Sequence, residues 1–121
     1  MGYVQCYGLR KEIKEIPNEA FTKIQEVMEE YKEILRFECD EDKEPLVTKT
    51  KIRFNGYGEF GHETFYFSVK EFDHFCKTNT KDYDMPVCII LLLLFHHIPE
   101  FKLSSDGFWI SKEIADEFRK S

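Results

Sequence analysis

The densest run of residues able to do chemistry is Asn55–Thr64, reading Asn-Gly-Tyr-Gly-Glu-Phe-Gly-His-Glu-Thr. Three glycines among hydrogen-bonding side chains resemble a phosphate cradle. Such cradles, however, run from a strand into a helix whose N-terminus helps to hold the anion. Here the run leads into an alternating, strand-like segment, so the glycines read as a hairpin turn that needs unusual backbone angles. His62 and Glu63 are adjacent and would point to opposite faces of a strand, which prevents a direct acid–base pair. Cys76 is a candidate nucleophile if the fold brings it to His62 or His74 and to Asp84, since such groups meet in space and not in sequence. No local nucleophile motif supports it, and a small hydrophobe beside Phe72 and Phe75 is the simpler role. His96 and His97 lie about 100° apart on a helix and do not make the i, i+4 pair of a helical zinc site. Ser104-Ser105-Asp106-Gly107 reads as a turn or cap. No metal or other cofactor is expected from these patterns.

The elements that must position these residues are legible as periodicities. Gly2–Leu9 reads as a strand, with Val4 and Cys6 on one face and Tyr3, Gln5 and Tyr7 on the other. Pro17 and Asn18 open a helix whose stripe is Phe21, Ile24, Met28, Tyr31 and Leu35, widened by Ala20 and Val27. Glu38–Glu44 is acidic but lacks the alternating ligands and central glycine of a calcium loop, so it reads as a solvated loop. Leu46–Phe54 alternates throughout. Its Lys49, Lys51 and Arg53 give a basic outer face, and Thr64–Val69 returns beside it as an antiparallel partner. Glu71–Cys76 reads as one helical turn and Lys77–Asp84 as a polar loop.

Val87–Phe95 is an unbroken apolar run of nine residues. It is far short of the roughly 20 residues that span a membrane. Asp84 as a cap, Pro86 in the first turn, the leucines, and Pro99 beyond the end favour a helix over residues 85–97. An all-apolar helix must be covered on more than one side. The spacing assigns that role to a C-terminal amphipathic helix carrying Trp109, Ile110, Ile114 and Phe118, which follows a short strand at Phe101–Ser104. On this reading Leu91–Leu94 are mostly buried within one subunit.

The resulting string, β-α-β-β-α-β-α, suggests an α+β fold of the split-βαβ, ferredoxin-like kind: a two-layer sandwich with an extra C-terminal helix, in one domain over residues 1–121. The 121 residues, 42% hydrophobic with 12 Phe and 6 Tyr, suffice for a real core. A net charge of -6 argues against general binding to nucleic acid or anionic membranes and suits a basic partner. Four widely spaced cysteines without a CxxC pair, and no leader pattern at the start, suggest reduced thiols in a cytoplasm.

Phe54-Asn55-Gly56-x-Gly58-x-x-Gly61-His62-Glu63-Thr64-Phe65, with Phe75-Cys76-Lys77-Thr78, Tyr83-Asp84 and Ser104-Ser105-Asp106-Gly107, resembles a group of small uncharacterised accessory proteins of tailed bacteriophages and some bacteria. The resemblance covers about the C-terminal two-thirds of the chain. It implies a small protein of the infected host's cytoplasm and carries no catalytic assignment.

The leading expectation is therefore a non-enzymatic protein-binding modulator, monomeric or homodimeric, acting on a protein partner such as a host factor. Its candidate contacts are Asn55, Tyr57, His62, Glu63, Cys76, Tyr83, Asp84 and Asp106. One alternative is a small enzyme or ligand-binding protein using loop 55–63 with Cys76 and Asp106. A second is an RNA-binding sheet, which needs Tyr3, Tyr7 and Tyr66 on an uncovered face beside the basic strand.

Overall fold

A computed structural model describes residues 4–105 and 108–109 of the chain. In chain order the elements are β1 (Val4–Leu9), α1 (Asn18–Glu30), β2 (Leu35–Arg36), β3 (Leu46–Val47), β4 (Lys51–Gly56), a single 3-10 turn (Gly58–Phe60), β5 (Phe65–Ser68), β6 (His74–Lys77), α2 (Asp84–His97), β7 (Phe101–Ser105) and β8 (Phe108–Trp109). The fold is mixed α+β with antiparallel strand pairing throughout. Tyr3, Asp106 and the expected C-terminal helix from Ile110 on, with Ile114 and Phe118, lie outside the described residues, and Trp109, expected on that helix, is instead in β8 and paired with Ser104.

The strands divide between two sheets, ordered β6-β1-β7-β8 and β2-β4-β3 with β5 on the other edge of β4. One part of the expected arrangement is present. β1 is antiparallel to both β6 and β7, so these two run parallel on either side of it, and α2 connects them. That is a βαβ crossover split by an intervening strand. The full ferredoxin-like order is not reached, because the Gly-rich hairpin belongs to a second sheet.

Three local readings change. Leu46–Phe54 is not one strand. It breaks at Thr48, whose hydroxyl accepts from the backbone N–H groups of Thr50 and Lys51, and β3 folds back on β4 with Val47 opposite Ile52. A short Thr side chain offering the backbone a local partner is a sufficient reason for a turn inside an alternating pattern. Residues 74–77, expected at the end of a helical turn, are extended and pair with β1 from Val4 to Tyr7. Helix α1 ends at Glu30, and Leu35 enters β2 opposite Gly56 instead of extending the helical stripe.

The core is aromatic where the sheets meet and aliphatic under α2. β1 buries Gln5, Tyr7 and Leu9, so the side that carries Tyr7 faces inward. The Tyr7 hydroxyl donates to the Tyr66 carbonyl at 2.7 Å and accepts from the Tyr66 N–H at 3.4 Å. Two residues on, the Ser68 N–H donates to His74 Nε2 at 3.4 Å. All three bonds serve the edge of β5 that no described strand covers, and Tyr7 itself stacks between Phe65 and His74. With Tyr7 enclosed, the base-stacking surface that an RNA-binding sheet requires is missing one of its three tyrosines.

Helix α2 begins at Asp84, one residue before the expected start, so Asp84 lies inside the first turn and is not its cap, and no side chain caps the helix. The Asp84 carboxylate instead accepts from the Thr78 hydroxyl, while its charge still favours the first turn. Pro86 fits that turn because its missing N–H has no helical partner there. α1 packs on α2, and Val87, Ile90, Leu91, Leu94 and Phe95 are buried. Among the described residues, no helix is long and apolar enough to cross a membrane. Burial of Leu91–Leu94 is only partial: Leu91 and Leu94 are enclosed, Leu93 is half-buried, and Leu92 is 47% exposed.

Two predictions test the inter-sheet joint. Tyr7→Phe keeps the stacked ring but strips the Tyr66 carbonyl of its donor, so unfolding by urea should show a loss of about 1–3 kcal/mol. Burial holds His74 and His97 below the usual histidine range, with His96 adding to the effect at His97. A histidine with a depressed folded value supports the fold while neutral. Its contribution is complete above the unfolded value of about 6.5 and is lost as the pH falls through the folded one. Urea midpoints should therefore drop between pH 7.5 and 5.5. His74→Phe should flatten that drop, even though the variant is less stable at pH 7.5.

Candidate functional site

Asn55 is the last side chain before the Gly-rich loop, and it is fully committed. Its Oδ1 accepts from the N–H groups of Gly56 at 2.8 Å and His62 at 3.1 Å. Its Nδ2 donates to the His62 carbonyl at 3.0 Å and the Thr64 hydroxyl at 3.2 Å. One buried amide thus clamps both ends of the loop. The closure brings Gly56 and Gly61 into backbone contact: a Cβ on Gly61 would sit 2.2 Å from the Gly56 carbonyl oxygen, and one on Gly56 would sit 2.3 Å from that of Phe60. These two glycines are required by close approach. Gly58, at φ 57°, is required by its conformation.

The loop then delivers Glu63 to the end of β6. The Glu63 carboxylate accepts from the Lys77 N–H at 2.6 Å, and its carbonyl accepts from the Tyr83 hydroxyl at 2.6 Å. Cys76 Sγ lies 3.5 Å from the same carbonyl and 3.8 Å from the Tyr83 hydroxyl. The Tyr83 N–H returns to the Phe60 carbonyl, and Thr78 bonds Asp84 at the start of α2. Asn79 and Thr80, both left-handed, make the reversal that lets Thr78 and Asp84 meet.

Of the expected contact residues, Glu63, Cys76, Tyr83 and Asp84 therefore converge, and Asn55 supports them through the loop. They do not line an opening. Cys76 and Tyr83 are fully buried, and their polar atoms are spent on backbone groups and on each other. Burial pushes the Cys76 thiol up to about 12; the Tyr83 hydrogen bond opposes this, while Glu63 and Asp84 add to it. Burial likewise raises Tyr83, with Cys76 next to it. At neutral pH this cluster presents a protonated, enclosed thiol whose partners are a carbonyl and a phenol. That chemistry suits a structural joint and lacks the activated thiolate of a nucleophile.

The remaining candidates are elsewhere. His62 is exposed on the loop, and Tyr57 carries the Arg36 guanidinium 4.8 Å above its ring. The acidic loop is tied to basic side chains: Glu38 pairs with Arg53 and Asp42 pairs with Arg36. Phe37 lies between Lys43 at 4.2 Å and Arg53 at 4.3 Å. The basic face expected on residues 49–53 is thus partly neutralised. Among the described residues, no three His, Cys, Asp or Glu side chains gather as a metal would require.

Two surface features were not foreseen. A cleft of about 450 Å³ lies between the end of α1 and strands β2 and β3, floored by Met28, Leu35, Pro45 and Val47 with a rim that includes Glu33, Arg36 and Asp42. None of the expected site residues borders it. The other feature is on α2, where Met85 is 57% and Leu92 47% exposed, with Cys88 and Ile89 half-buried between them. The sequence hid this stripe, since every side of the helix is apolar and no polar contrast marks which side is open.

Comparison with protein-family models, with curated proteins and with solved structures finds no match.

The structural role of the loop clamp and thiol is testable. Asn55→Ala removes four hydrogen bonds and should cost about 2–4 kcal/mol in urea unfolding. In the native wild-type protein at pH 8, site-resolved alkylation should leave Cys76 unmodified while half-exposed Cys39 reacts. In Asn55→Ala, labelling of Cys76 should rise as the loop releases Glu63.

Proposed function

We propose that the protein is a non-enzymatic protein-binding module whose contact surface is the open side of α2. The observation that carries this reading is the exposure of Met85 and Leu92 on a helix otherwise built into the core. Residues 85, 89, 92 and 96 follow a four-three-four spacing, which is the seam geometry of side-by-side helix packing. Met, Ile and Leu supply an adaptable apolar strip, and exposed His96 closes its C-terminal end. Large apolar side chains grouped on one side of one element are a recognised sign of an interaction site.

The partner this surface fits is a protein offering an amphipathic helix with basic flanks. The net charge of -6 favours such flanks, and helix-in-groove recognition uses this kind of spacing. The motif resemblance to accessory proteins of tailed phages supports a partner drawn from the host cytoplasm. The enclosed Cys76–Tyr83 cluster weighs against the enzyme reading, and the burial of Tyr7 weighs against the RNA-binding sheet.

Capture with the tagged chain tests this. Leu92→Asp lies on an exposed position and should leave stability within about 0.5 kcal/mol of wild type. A partner retained by the wild type and by a Phe75→Asp control should be lost at least tenfold on Leu92→Asp. Equal retention by Leu92→Asp would remove α2 as the contact surface. Sedimentation of the wild type and Leu92→Asp at several concentrations separates a second copy of the chain from a different partner.

A further inference from the structure

Strand β3 is an outer strand of the second sheet, and among the described residues it pairs with β4 alone. The Thr48 N–H donates to the Lys51 carbonyl at 2.9 Å, so Thr48 and Lys51 are a hydrogen-bonded pair. Opposed residues in an antiparallel ladder alternate between pairs that exchange backbone bonds and pairs that do not. Val47 with Ile52 is the next pair along, and it is of the second kind. The Val47 N–H and carbonyl therefore point away from β4. Pro45 has no N–H, and the chain turns at Thr48, so Val47 is the residue on this edge with both groups to offer.

Val47 also borders the cleft of about 450 Å³ beside the end of α1. That volume lies within the roughly 300–1,000 Å³ of clefts that hold ligands. Its apolar floor includes half-buried Met28 and Val47. On β2, the Arg36 guanidinium already serves the backbone, donating to the carbonyls of Lys32 at 2.9 Å and Leu35 at 2.8 Å. The rim carries four carboxylates and two cations. Both cations are engaged, Arg36 with Asp42 at 2.6 Å and Lys32 with Glu29 at 2.9 Å. Glu33 and Glu44 are exposed and join no ion pair among the described residues. One place thus combines an apolar floor, a free strand edge and an uncompensated negative rim.

We propose that this cleft takes an extended segment of a partner protein in which lysine or arginine alternates with aliphatic residues. The segment's backbone pairs with Val47, an aliphatic side chain lies against Val47 and Met28, and its cations meet Glu33 and Glu44. In strand addition the main-chain bonds supply affinity and the side chains supply the choice of sequence. Here charge makes that choice, because an acidic segment would bring like charges to two carboxylates that have no counter-ion. The site is separate from the open side of α2, none of whose residues lines the cleft, and it does not rest on the reading of that helix.

The test titrates the isotope-labelled full-length chain with the peptide acetyl-Lys-Val-Lys-Val-Lys-amide and follows it by NMR. The Val47 amide and the Met28 methyl signals should shift. Glu33→Gln with Glu44→Gln, at two exposed positions, should weaken binding about fivefold, as expected for two surface charge pairs. Leu92→Asp should bind like the wild type. If the urea midpoint of the double variant has moved, Glu44→Gln alone takes its place and should weaken binding about twofold. The same peptide N-methylated at both valines cannot pair with a strand edge, and hexylamine offers a cation and an apolar body without a backbone. Equal binding of either, unchanged affinity in the carboxylate variant, or shifts centred on α2 would overturn the proposal. So would the absence of any shift at roughly 5 mM peptide, where even a millimolar Kd is visible.

Discussion

The free edge of β5 is the constraint on which the arrangement of the two sheets depends. A strand edge inside a protein leaves backbone N–H and C=O groups that must find partners. Among the described residues no strand provides them. Two side chains of the first sheet do, Tyr7 at Tyr66 and His74 at Ser68. Side-chain partners reach across a layer boundary where a strand would have extended the sheet. The two sheets therefore stay separate yet joined, and the rings of Tyr7, Phe65, His74 and Phe67 fill the joint. The 2.7 Å bond to the Tyr66 carbonyl is the firm member of the set, and the two at 3.4 Å complete it.

The polar residues that looked most like chemistry serve the same kind of purpose. Asn55 replaces backbone pairing across a loop too tight for it, and Glu63, Tyr83 and Cys76 do so where β6 meets the start of α2. A residue type suited to catalysis is also suited to satisfying a buried backbone group, and burial decides between the two. A thiol held near 12 beside a phenol and two carboxylates has been made inert by the environment that makes it structurally useful. The Gly-rich loop has the same double appearance. Its glycines are needed because Gly56 and Gly61 touch, whether or not anything binds there.

Elements with strong local periodicity were legible in the sequence. The β1 and α1 segments, the antiparallel return from β4 to β5 and the helix at 84–97 all lie close to where alternation, helical spacing and the apolar run put them. The losses have particular causes. Thr48 and Thr50 keep an alternating pattern running through a turn, because threonine suits a strand and also bonds its own backbone. Residues 74–77 are extended because β1 offers them a partner, and β1 lies some seventy residues away in sequence. The convergence of Glu63, Cys76, Tyr83 and Asp84 depends on that pairing, so the proximity of these groups was readable only as a possibility of the fold. In β1 the alternation was visible but its sense was not. Tyr and Gln went inward and Cys stayed half outside, because the inward polar groups met partners there, the Tyr66 carbonyl for Tyr7 and the Cys88 thiol for Gln5.

Helix α2 shows where local pattern carries least information. In an amphipathic helix the polar side announces what is exposed, whereas an all-apolar helix announces only that burial is needed. α1 and β7 pack on α2, whose Val87, Ile90, Leu91, Leu94 and Phe95 are buried, and Met85 and Leu92 stay exposed. Leaving leucine and methionine exposed costs solubility and gains nothing for the fold, so charged residues would be cheaper at those positions if the side stayed in water.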